Sequence, residues 1–78
     1  MLEIEFTIEP FIEGAPGKHV TAAVAAVEKF GVVVDFGPFG SSFTAQESNV
    51  ASIVGSLLEA AYGNGATHVN VHVGPQKQ

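Results

Sequence analysis

The chain has 78 residues, a net charge of −5, no cysteine, no arginine and only three lysines. One domain is all this length supports, and so small a core buries only about 60% of the surface the unfolded chain exposes. The balance of charge excludes a phosphate-binding nucleic-acid face, and the missing cysteines exclude disulfides, thiolate chemistry and cysteine-bound zinc.

The opening run MLEIEFTIEP has neither the basic start nor the apolar stretch of a signal peptide. Nothing in the chain approaches the ~20 apolar residues of a membrane span. The expectation is a cytoplasmic protein, with no membrane and no nucleic acid among its partners. Apolar residues make up 46% of the chain and the mean hydropathy is +0.31. That is more apolar surface than so small a core can hide, so a homo-oligomer is expected.

Leu2, Ile4, Phe6 and Ile8 alternate with Glu3, Glu5, Thr7 and Glu9. A period of two predicts a strand with one buried face, stopped by Pro10. The stretch IEGAPGK reads as a loop. From Lys18 to Phe30 the period lengthens, with Val20, Ala23, Val24 and Val27 on one stripe, which predicts a helix ended by Gly31. The β-branched run VVVDF predicts a second strand. SSFTAQ predicts a third, with Phe43 and Ala45 on one face and Ser42, Thr44 and Gln46 on the other. A second helix begins at Glu47 or Ser48, carries Val50, Ile53, Val54, Leu57, Leu58 and Ala61 on its stripe, and ends at YGNG. Gly55, inside that helix, reads by default as a place of close packing against the first helix or the sheet, the alternatives being a cost simply tolerated or a ligand edge. THVNVHV predicts the last strand, with Val69, Val71 and Val73 inward and His68, Asn70 and His72 outward.

The order βαββαβ predicts an α+β, ferredoxin-like domain spanning residues 1–78. Its antiparallel four-stranded sheet has the order 4-1-3-2, and both helices lie on one face. That topology serves several functions, and the residues exclude some of them. An RNA-recognition domain needs aromatics and basic charge on its central strands; the outward positions here are Glu3, Glu5, Thr7, Ser42, Thr44 and Gln46. A metallochaperone needs a Cys-x-x-Cys loop, and an acylphosphatase needs an arginine. His68 and His72 lie four apart, which on a strand is about 13 Å, too far for one ion. They read as a polar outer face with Glu3, Glu5 and Glu9 as cross-strand neighbours, leaving a histidine–glutamate site across two strands open. His19 reads as a solvated residue at a helix start. Ser41 and Ser42 read as turn hydroxyls in preference to nucleophiles. Val33 and the outward glutamates read as a surface for sheet-to-sheet association.

The segment FGPFGSS, residues 36–42, spends two glycines, a proline and two phenylalanines on one connection. With the opening EFTIEPF, the stretch HVTAAVAAVEKFGVVVDFGPFGSSF and the closing GATHVNVHVG, it resembles the small YkoF-like proteins that bind thiamine or its hydroxymethylpyrimidine portion. The resemblance covers nearly the whole chain. Gly37, Pro38, Phe39, Gly40 and Ser41 match the family's gPmGT stretch, with Phe39 for methionine and Ser41 for threonine. Where the family often continues TIEGE, this chain has Ser42, Phe43, Thr44, Ala45 and Gln46, so both carboxylates are missing and its ligand contacts must differ.

The resemblance implies a ferredoxin-like domain that assembles as a dimer or tetramer through its sheets and binds thiamine or a related pyrimidine, without enzymatic activity or cofactor. Thiamine joins a cationic thiazolium to a flat aminopyrimidine. Phe36 and Phe39 are candidates for a stacking wall, Gly40 for close approach of the backbone, and Ser41, Ser42 and Thr44 for hydrogen bonds to ring nitrogens. The other reading of the segment makes both phenylalanines core residues and the run a tight connection. The rival function is a self-associating interaction module with no thiamine-type ligand.

Overall fold

A computed structural model describes residues 1–11, 17–37 and 40–76. Strand β1 is Leu2–Glu9, helix α1 Lys18–Glu28, strand β2 Asp35–Gly37, strand β3 Gly40–Ala45, helix α2 Glu47–Gly63 and strand β4 His68–Pro75. The strands form one sheet in the order β2-β3-β1-β4, with every neighbouring pair antiparallel. This is the ferredoxin-like topology that the alternation of periods predicts.

Alternation in β1 places Ile4, Phe6 and Ile8 in the core, where they meet Ala23 and Val27 of α1 and Ile53, Leu57 and Ala61 of α2. Ile4, Val27, Ile53 and Leu57 are the largest side chains that are fully buried. Phe6 stands opposite Ser41, and its ring meets that of Phe43 diagonally, with centroids 6.1 Å apart at 60°. Such edge-to-face pairs contribute ~0.5–1.5 kcal/mol beyond area burial.

Glycines end both helices as their sequence positions predict. Gly31 takes φ +84° and donates its N–H to the Glu28 carbonyl, so α1 closes before Phe30. At the end of α2, Gly65 takes φ +103°, the Asn64 side chain donates to the Ala60 carbonyl at 2.7 Å, and the Ala66 N–H donates to the Ala61 carbonyl.

Four expectations are corrected. The VVVDF run supplies a strand only from Asp35; residues 32–34 carry the chain from the helix layer to the sheet, with Val34 buried and Val33 81% exposed. Strand propensity forms no ladder until the backbone reaches its partner. Val73 faces the helix side yet stays 43% exposed, because it sits on an edge strand. His19 is buried, not solvated: its Nε2–H donates to the Pro10 carbonyl at 2.7 Å, tying the start of α1 to the end of β1. Gly55 has no close neighbour, and an added Cβ meets nothing within 4 Å. Gly55→Ala therefore removes a flexible residue from mid-helix without a clash. It should stabilise the fold by about 0.5–1 kcal/mol, raising the melting temperature by roughly 2–8 °C in a thermal scan followed by circular dichroism.

Among the described residues, no helix is long and apolar enough to cross a membrane.

Candidate functional site: a groove on the open face of the sheet

Since β1 turns its apolar residues to the helices, Glu3, Glu5, Thr7 and Glu9 must point to the other face. The register extends that face across the sheet. Glu5 stands opposite Ser42 on one side and His72 on the other, and Ser42 in turn stands opposite Asp35. The result is a polar row, Asp35–Ser42–Glu5–His72, with side chains of neighbouring strands about 4.5–5.5 Å apart. The next row holds Asn70 opposite Thr7 and, beyond Thr7, the paired glycines Gly40 and Gly37.

Those glycines shape the surface. A Cβ on Gly40 would lie 3.1 Å from both the Phe6 carbonyl oxygen and the Thr7 Cγ2, and one on Gly37 would lie 3.0 Å from the Gly40 carbonyl oxygen. Both positions are glycine because strands approach closely there. Beside the polar row, with Gly40 in its lining, lies a groove of about 420 Å³. Glu5, Thr7, Ser42, Asn70 and His72 line it with side chains, whereas Phe6, Ser41 and Val71, which alternate toward the helices, border it with main chain. The volume lies within the roughly 300–1,000 Å³ typical of small-molecule sites.

The chemistry of the groove is that of an acceptor-rich, acidic surface. Glu5 only accepts when ionised, Asn70 both donates and accepts, and the Thr7 and Ser42 hydroxyls do either. Glu3 and Glu9 flank Glu5 and Thr7 on the same face of β1, and Asp35 adds a further carboxylate at the end of the row. Lys18 and Lys29 sit at the two ends of α1, in the layer on the other side of the sheet, and Lys77 lies outside the described residues. Among the described residues, no group of three or more histidine and carboxylate side chains is arranged to hold a metal ion.

Of the six residues singled out by sequence, the fold brings Gly40 and Ser42 into the groove. Ser41 borders it, but its side chain shares the face of Phe6. Thr44 is on the open face opposite Glu3, beyond the groove lining. Phe36 pairs with Ser41 and so projects to the helix side, where it is 62% exposed: it is neither core nor a wall of the groove. The period of two separates it from Ser42. Phe39 lies outside the described residues. Sequence reasoning left out Thr7 and Asn70 as site residues, and held Glu5 and His72 only as members of an open histidine–glutamate alternative. Their signal was the polar phase of β1 and β4, which becomes a site only once the two strands are paired in register with β3.

No family model matches the chain, and none of the curated proteins does. Solved structures do. A protein from Streptococcus pneumoniae superposes with a TM-score of 0.75 at 16% identity over 97% of this chain and 87% of its own. A domain of unknown function, DUF77, from Bacillus cereus gives 0.67 at 17% identity, covering 99% of this chain and 75% of its own. A hypothetical protein from Methanocaldococcus jannascii gives 0.60 at 19% identity, covering 99% and 79%. At such identities what is shared is the ferredoxin-like fold, and this chain is similar in fold to all three.

Proposed function

We propose that this protein binds thiamine or a related pyrimidine such as hydroxymethylpyrimidine in the open-face groove, without catalysis, and works as a homo-oligomer. The observation that carries this reading is the groove itself: a shallow, glycine-floored depression in which Glu5, Ser42, Asn70 and His72 converge from three strands on an acidic face. A flat aminopyrimidine offers an exocyclic amine and ring nitrogens to such a set, and a thiazolium cation is favoured by the surrounding carboxylates. The His72 ring offers a plane for stacking. The resemblance of residues 36–41 to the thiamine-binding family points to the same end of β3.

Isothermal titration with thiamine and with hydroxymethylpyrimidine tests the reading. Saturable heat and a matching rise in melting temperature are expected. Neither heat nor thermal shift at millimolar ligand would overturn it.

A second reading is favoured by a different observation. Val33, Phe36 and Phe11 are 81%, 62% and 86% exposed, more apolar surface than a lone 78-residue chain needs to show. It makes the protein a self-associating module with no thiamine-type ligand. A dimer or tetramer by light scattering, together with failure of both titrations, would select it.

A further inference from the structure

We infer that the groove accepts its guest as the free alcohol and rejects the phosphate esters of the same molecule. The inference rests on reading the groove as a thiamine site. It follows from where charge lies on the sheet. Glu5 lines the groove, Glu3 lies two residues before it and Glu9 two residues beyond Thr7, all on one face of β1. Same-face positions on a strand are about 7 Å apart, well inside the ~10 Å screening length at 0.1 M salt. Asp35 closes the row beyond Ser42.

A phosphate attached to a guest in this groove therefore enters a field of like charge. Among the described residues, which leave out Lys77, nothing built for phosphate offsets that field. The chain has no arginine. Lys18 and Lys29 bound α1, on the far side of the sheet. The N-terminus of α2 follows β3 at Ala45, the end of that strand opposite to Gly40, so its free N–H groups lie about 16 Å along the strand from Ser42, the nearest β3 residue of the groove. His68 and His72 face the groove side, but each stands directly opposite a carboxylate, Glu9 and Glu5 respectively. The thiazolium and aminopyrimidine keep their attraction to the same surface, so the groove separates guests by the charge on the tail.

The experiment is a titration of the full chain with thiamine, thiamine monophosphate and thiamine diphosphate, in EDTA so that no divalent ion bridges carboxylate to phosphate. The expected order is thiamine tightest, then the monophosphate, then the diphosphate, with the diphosphate at least about tenfold weaker than thiamine at low salt. The gap should close as salt rises toward 1 M, where the screening length falls to ~3 Å. A Glu3→Gln, Glu9→Gln double variant removes charge from positions outside the groove lining, and should narrow the gap at low salt. Diphosphate binding as tight as thiamine, or a gap indifferent to salt and to the double variant, overturns the inference and leaves the thiamine reading standing. Failure of thiamine itself overturns the inference, and failure of hydroxymethylpyrimidine as well overturns the proposed function with it.

Discussion

Replacing Leu57 with alanine should lower the unfolding free energy by about 2–5 kcal/mol and the melting temperature by roughly 10–30 °C. Leu57 is fully buried on the inner stripe of α2, in the same cluster as Ile4, Val27 and Ile53. Alanine there loses the transfer free energy of the removed carbons and leaves a void that the sheet and α1 close only in part. The same loss matters more here than in a large protein, since a domain of this size holds a modest reserve of stability. Leu58, one position further and only partly buried, is the control: its truncation should cost clearly less. Urea titration followed by circular dichroism measures both. A cost below about 1 kcal/mol for Leu57→Ala would mean that α2 is not packed on β1 and α1 as described.

Glu5→Gln should weaken thiamine binding roughly 10–100-fold while leaving the melting temperature of the free protein nearly unchanged. Glu5 is exposed and stands in the middle of the polar row, between Ser42 and His72. Glutamine keeps its size but loses the charge that strengthens a hydrogen bond to the aminopyrimidine and attracts the thiazolium. Ser42→Ala, which removes one neutral hydrogen bond, should cost less, about two- to tenfold. Thr44→Ala and Phe36→Ala should leave affinity unchanged, because Thr44 lies beyond the groove and Phe36 projects to the opposite side of the sheet. Calorimetry on these four variants locates the site. Loss of affinity in Phe36→Ala with none in Glu5→Gln would move it to the helix side of the β2–β3 hairpin.

The two predictions differ in how readable their residues are. Leu57 announces itself: an apolar stripe on a 17-residue helix must face something, and the only partners are the other apolar stripe and the apolar phase of the strands. Glu5 reads as one of three outward glutamates on the first strand, interchangeable with Glu3 and Glu9. Its position in a groove depends on which residues the second crossover and the hairpin bring beside it. Phe36 is the opposite case. Its closeness in sequence to Ser41 and Ser42 invites grouping the three, but adjacent residues on a strand point to opposite faces. Gly37 and Gly40 are legible as places where backbone comes close. What comes close is the neighbouring strand, and of the two only Gly40 lines the groove.

Sequence alone determined the elements, their order, the helix-ending glycines and the strand-ending proline, and which phase of each strand is apolar. These depend on a residue and its neighbours within one turn or one pleat, where steric and hydrophobic preferences act locally. Tertiary structure decided the pairing of Glu5 with Ser42 and His72, the burial of His19, the late start of β2 and the open space around Gly55. Each of these joins residues distant along the chain. Their mutual placement is set by register and by the packing of helices on the sheet, to which no local pattern of residues gives a value.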